Sequence, residues 1–206
     1  MKNIIFFIVI GTFSTSFVRE VKNVIQAKPT LPVAKESIPK PNSTEEEIPS
    51  DPIPKRLQKK IPAKGTVILV DFRLSSLKKR LWVVKNQKTI LNCRVAHGRN
   101  SGDVYAVEFS NEPESFKSCV GTFITGKAYE GEKGRAMRIY GLNYGLNNNA
   151  YDRGIVFHGA DYVSNEYLAA KGRIGRSLGC FVTEPNQNEK IISLCKNGVK
   201  LHVIGR

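Results

Sequence analysis

Short apolar runs separated by turn residues dominate the chain after residue 64. Residues 66–72, 81–84, 89–95, 120–125, 138–142, 154–158 and 199–204 have the length and the Val, Ile, Leu and Phe content of strands. Asn111, Pro113, Gly131, Gly134, Gly145 and the run Asn147-Asn148-Asn149 punctuate them. Two stretches read as helices. One follows Ser164 as N-cap and is closed by Gly172; the other opens at Pro185, with Glu184 in the N-cap position, and stops before Gly198. The pattern predicts a mainly β domain with a few short helices over residues 64–206, without internal repeats.

The first 63 residues follow other rules. Lys2 precedes an unbroken apolar run over residues 4–10 that fades near Phe13. A cationic start with a short apolar core is the pattern of a secretory signal, and roughly ten apolar residues fall short of the about twenty that span a bilayer. Residues 1–27 are therefore expected to be a signal peptide or an N-terminal membrane anchor. The chain is expected to be exported to the periplasm or cell envelope, with a membrane tether if the segment is retained. Residues 28–63 hold eight of the ten prolines, with Lys and Glu between them and no aromatic residue. Such a stretch lacks the apolar side chains for a core and reads as an extended spacer.

Charge narrows the partners. The formal net charge is +14, and from residue 64 onward 22 Lys and Arg face 12 Asp and Glu. The basic character thus belongs to the domain as well as the tail, and favours a polyanionic setting. No helix-turn-helix, zinc-finger or RNA-binding strand motif accompanies it, so nucleic acid is not the expected partner. Cys93, Cys119, Cys180 and Cys195 form no C-x-x-C pair and have no His at zinc-ligand spacing, so no metal or cofactor is expected. Their disulfide state is open at this level.

Two segments carry candidate chemistry. Residues 154–159 form an apolar strand that delivers His158 at its end, next to Gly159. Alone, such a His is more often a polar strand end than a catalytic base. Residues 172–180 lead through Arg173, Arg176, Ser177 and Gly179 into Cys180. A glycine before a cysteine permits a sharp turn that exposes the sulfur and aims backbone N–H groups at one point. An ordinary thiol is only a few per cent thiolate at neutral pH, so a nucleophilic Cys needs a base such as His or neighbouring positive charge. Cys180 and His158 meet that need if the fold joins them.

The combination His158-Gly159-Ala160-Asp161-Tyr162 with Gly175-Arg176-Ser177-Leu178-Gly179-Cys180 resembles the L,D-transpeptidase catalytic domain of the YkuD type, in its murein-transpeptidase subgroup. Residues 95–102, Phe109-Ser110-Asn111, Gly121-Thr122-Phe123, Gly141-Leu142 and residues 147–150 resemble the same subgroup. The resemblance implies a β-sandwich-like fold. It implies Cys180 as nucleophile, His158 as proton acceptor and the Gly159 carbonyl as the group that orients the imidazole. Ser177, Gly179 and the Cys180 amide would shape the oxyanion site. The implied partner is the peptidoglycan tetrapeptide stem, cleaved before its terminal D-alanine and transferred to an amine, or to water in a hydrolase, by a protein expected to act as a monomer. A wall-binding domain without activity is the remaining alternative. Leu178, Phe181 and Val182 depart from the family pattern around the nucleophile.

Arg135, Arg138, Arg153, Arg173 and Arg176 are candidates to pair with stem-peptide carboxylates, Arg176 foremost and Arg173 beside it. Tyr140, or Tyr144, is a candidate wall or donor. His97 is expected as a polar strand end, His202 as solvent-exposed, and Cys195 as core.

Overall fold

The computed structural model describes residues 50–132 and 134–206, so the N-terminal apolar segment and most of the spacer lie outside the described residues. Eight strands form: β1 (Thr66–Asp71), β2 (Leu81–Lys85), β3 (Lys88–Cys93), β4 (Gly121–Gly131), β5 (Gly134–Gly141), β6 (Val156–Gly159), β7 (Phe181–Thr183) and β8 (Lys200–Ile204). Three short helices accompany them: α1 (Lys55–Gln58), α2 (Asn165–Lys171) and α3 (Pro185–Cys195).

The strands make one sheet in the order β3-β2-β1-β8-β4-β5-β6-β7. Its two edges meet. Ala96, just after β3, bridges to Val182 of β7, its amide donating to the Val182 carbonyl at 2.8 Å. The sheet is therefore curled almost closed and sandwich-like, as the family resemblance implies. Period-two alternation sends Ile68, Val70, Phe123, Met137, Phe157 and Phe181 inward, where Ile191 and Ile192 of α3 complete the main core. The rings of Phe157 and Phe181 stack with centroids 5.3 Å apart.

Strand β1 reads as a continuous apolar run because both of its faces are covered. Val67 and Leu69 point outward and pack with Trp82, Val84 and Leu57. Leu57 belongs to α1, inside the stretch whose composition reads as spacer. Residues 51–61 lie on the domain: Ile53 and Ile61 pack against the same cluster, and Trp82 Nε1 donates to the Asp51 carbonyl at 2.8 Å. Ile53, Leu57 and Ile61 recur every four residues, a helical spacing that the surrounding prolines conceal.

Both predicted helices form. Ser164 caps α2 by accepting from the Tyr167 amide, and Gly172 ends it in the left-handed region at φ 68°. Glu184 takes the N-cap position of α3 without a side-chain hydrogen bond, and the helix ends at Cys195, before Gly198 as expected. The β4–β5 hairpin extends well beyond the predicted runs, because Gly131 and Gly134, read as turn markers, are paired across it. β7 has only three residues and gives too short a pattern to be read as a strand.

Candidate active site

Strands β5, β6 and β7 present one outward face. In the register Ala136 pairs with His158 and His158 with Val182, so these three share it, opposite the inward Met137, Phe157 and Phe181. Cys180 stands two positions before Val182, at the mouth of β7, and packs with Val182 on a small cluster that includes Ala96, Val163 and Ile174. The parallel β6–β7 pairing therefore sets His158 and Cys180 on the same face of adjacent strands, although they are 22 residues apart in sequence.

The His158 ring is buried, and Nδ1 lies 3.1 Å from the Gly159 carbonyl oxygen. A carbonyl only accepts, so Nδ1 carries the proton and Nε2 keeps its lone pair. Gly159 also lets α3 start close by: a Cβ there would come 2.8 Å from Pro185 Cα. Cys180 is half-buried, and its Sγ lies 3.7 Å from the Gly154 carbonyl oxygen, in range for a thiol S–H donor.

The turn that carries Cys180 is clasped from inside and outside. Ser177 Oγ donates to the Cys180 carbonyl at 2.8 Å and accepts from the Gly179 amide at 3.1 Å. Gly179 has φ 124°, a conformation that side chains rarely adopt. Its amide is committed to Ser177, so Gly179 shapes the turn and is not an oxyanion donor. Buried Ser118 holds the turn from the other side: its Oγ donates to the Gly179 carbonyl at 3.1 Å and accepts from the Gly98 amide at 2.9 Å. Ser118 is a support that sequence reasoning missed; only its position beside Cys119 in an apolar stretch hints at it.

The candidate arginines have separate fates. Arg135 pairs with Glu189 at 2.8 Å. Arg138 lies over the rings of Tyr129 and Tyr151, 4.3 and 5.5 Å from their centroids. Arg153 donates to the Ser110 and Lys117 carbonyls and to Ser115 Oγ, tying the loop beneath the cysteine turn. Arg173 and Arg176 reach toward Asp103. Tyr140 shares the outward face of β5 with Ala136 and stacks on Tyr151 at 5.0 Å, which makes it a wall. Tyr144 is almost fully exposed.

His97 is not a simple strand end. It is buried, and the fully buried Arg80 donates to its Nδ1 at 2.7 Å. That bond puts the His97 proton on Nε2, which donates to the Gly102 carbonyl at 3.3 Å. Arg80 also donates to the Val95 and Leu74 carbonyls and lies over Phe72. Burial, partly offset by Asp71, lowers the Arg80 pKa to about 9, so it remains a cation at neutral pH. In the run Lys78-Lys79-Arg80 the two lysines are exposed, and the closed sheet takes only Arg80 inside. His202 is half-buried rather than exposed, with Nδ1 3.1 Å from Thr122 Oγ1. Burial, then Lys60 and Lys200, lower its pKa. All four cysteines are free thiols; burial pushes Cys93 and Cys195 up to about 12 and Cys119 to about 11.

A curled sheet that brings a thiol and a tautomerically fixed imidazole to one strand face meets the first requirement of a cysteine acyl-transfer site. The family model of the L,D-transpeptidase catalytic domain matches residues 53–203, and the chain belongs to that family. The match begins within the stretch that packs on Trp82, ahead of the predicted boundary. Solved structures similar to it include an L,D-transpeptidase from Mycobacterium smegmatis, 13% identical, covering 68% of this chain and 58% of that one, with TM-score 0.43. Another is an L,D-transpeptidase from Stackebrandtia nassauensis, 17% identical, covering 70% and 58%, with TM-score 0.42. A third is the Enterococcus faecium L,D-transpeptidase, a cysteine-to-serine mutant, 17% identical, covering 68% and 50%, with TM-score 0.44. The chain thus spans between half and three-fifths of the length of these structures. No curated protein matches the chain.

Proposed function

We propose that the protein is an exported, cysteine-dependent acyl transferase that cross-links peptidoglycan stem peptides. The observation that carries this reading is the parallel β6–β7 register, which brings the one half-exposed thiol of the chain to the strand face of His158. The Gly159 carbonyl leaves Nε2 of His158 as the proton acceptor.

The reaction runs in two halves. His158 Nε2 takes the Cys180 proton, and the thiolate attacks the carbonyl carbon of the third stem residue. The tetrahedral intermediate collapses, the amide bond to the terminal D-alanine breaks, and the imidazolium protonates the departing amine. A thioester remains on Cys180. An amine from a second stem then attacks it, His158 takes the amine proton, and the proton returns to the sulfur as the cross-link forms. The half-exposed position of Cys180 also admits water, whose attack releases a tripeptide and makes the enzyme a carboxypeptidase.

The short apolar N-terminal run supports export, and a basic domain suits an anionic envelope. The test is incubation with tetrapeptide-bearing wall fragments, followed by mass spectrometry. Cross-linked dimers are expected; tripeptides alone identify the hydrolase. Cys180→Ala is expected to abolish both products and covalent labelling by a carbapenem. Survival of either in that variant refutes the site.

A further inference from the structure

Beside the cysteine turn lies an open cleft of ≈ 260 Å³ lined by Arg99, Tyr162, Tyr167, Arg173, Gly175 and Arg176. Three guanidinium groups around one concavity repel each other unless an anion lies among them. The protein supplies one of its own. Asp103 Oδ1 is 3.4 Å from Arg173 Nη1 and 3.6 Å from Arg176 Nη1. Both contacts are longer than good charge-assisted hydrogen bonds, and the Asp103 side chain is 65% exposed. One carboxylate oxygen thus spans two guanidinium groups loosely, from a side chain that water can reach.

The receiving side is firmer than the occupant. Arg176 Nη1 donates to the Gly102 carbonyl at 2.9 Å and the Arg99 carbonyl at 3.2 Å. The Gly102 carbonyl also accepts from His97 Nε2–H, and His97 is held from behind by buried Arg80. Arg176 is therefore anchored by hydrogen bonds that lead to a cation with no exposed surface, a foundation that a decorative surface arginine lacks. Tyr162 forms the wall toward the nucleophile. Its carbonyl accepts from the Gly175 amide at 2.7 Å, and its ring lies so close that a Cβ on Gly175 would come 2.6 Å from it. Tyr162 and Cys180 pack on the same cluster, so this wall of the cleft is shared with the surroundings of the nucleophile. Burial, and then Cys180, hold the Tyr162 pKa above its ordinary value, so its hydroxyl stays a donor.

We infer that this cleft is a subsite for a free carboxylate of the peptide whose acyl group Cys180 takes, with Arg173 and Arg176 as paired receivers and Asp103 as the internal carboxylate that the ligand displaces. The inference rests on the acyl-transfer reading for the identity of the ligand. It accounts for two opposed features, a rigid arginine and a loose acid partner, in one device: the site is partly neutralised when empty and exchanges one carboxylate for another on binding.

The test is calorimetric titration of full-length Cys180→Ala, which cannot turn over, with a tetrapeptide stem bearing free carboxylates and with the same stem amidated. Adding Arg173→Gln is expected to weaken the free stem about tenfold and leave the amidated stem unchanged. Adding Asp103→Asn is expected to tighten the free stem about threefold, since the competitor is gone. Thermal melts confirm that both exposed-site variants fold. Equal weakening of both stems by Arg173→Gln overturns the subsite, as does unchanged or weaker binding with Asp103→Asn, or no binding of either stem. Turnover by the unaltered protein reads the other assignment separately. Binding with this carboxylate pattern but no product refutes acyl transfer and leaves the subsite standing; product without the pattern does the reverse.

Discussion

Protonation of His97 should unfasten the support beneath Arg176, and its size can be worked out. Arg80 donates to Nδ1 at 2.7 Å, so a proton on that nitrogen would face a guanidinium inside the protein. Burial, then Arg80, hold the His97 pKa down to about 4 from 6.5, and the more distant Arg176 adds to the effect. The folded value is depressed, so the unfolded chain binds this proton more readily. The stability that neutral His97 contributes is complete above pH 6.5 and is lost as pH falls through about 4. Integrating the linkage gives a loss of about 2 kcal/mol at pH 5 and about 3 kcal/mol well below pH 4. Against a typical domain stability of about 5–15 kcal/mol that is a large share. His97→Gln offers an amide oxygen to Arg80 and an amide N–H to the Gly102 carbonyl, but does not titrate. Urea unfolding of both proteins at pH 7 and pH 5 isolates the effect, because other groups cancel. The natural protein should lose about 2 kcal/mol more than the variant between the two conditions. Equal losses would refute the neutral, Arg80-bound His97.

The remaining predictions probe packing, the turn and the thiols. Leu57→Ala should cost about 2–5 kcal/mol and shift Trp82 emission to the red, since Leu57 is fully buried against that ring; a cost below about 0.5 kcal/mol would show that residues 51–61 do not belong to the domain. Ser118→Ala removes the clasp on the Gly179 carbonyl and should lower kcat at least about tenfold while costing only about 1–3 kcal/mol of stability. An unchanged kcat with the same destabilisation would make Ser118 structural only. Iodoacetamide at pH 8 should label one thiol of the native protein and four after unfolding, because burial keeps Cys93, Cys119 and Cys195 inert. Labelling that persists in native Cys180→Ala would contradict that burial.

Periodicity along the chain already contains all the strands but β7, the two longer helices and the mainly β character. These depend on neighbours one to four residues away, where alternation, caps and glycines act. Gly179 before Cys180 and Gly159 after His158 likewise announce local backbone needs that the structure meets. The failures share one cause. The helical spacing of Ile53, Leu57 and Ile61 has meaning only once Trp82 and β1 present a surface to cover. Lys78-Lys79-Arg80 is chemically uniform, and only closure of the sheet buries Arg80 against His97.

Composition, local pattern and the Cys180 and His158 segments are properties of the sequence alone. The tertiary structure decided which residues meet. It set His158 and Cys180 on one strand face through the β6–β7 register, committed the Gly179 amide to Ser177, and sent Arg135, Arg138 and Arg153 to separate partners while gathering Arg173 and Arg176 around Asp103. Local periodicity cannot contain such facts, because contacts across 22 residues, or across the 70 between Asp103 and Arg173, form only where the curled sheet brings distant strands and loops together.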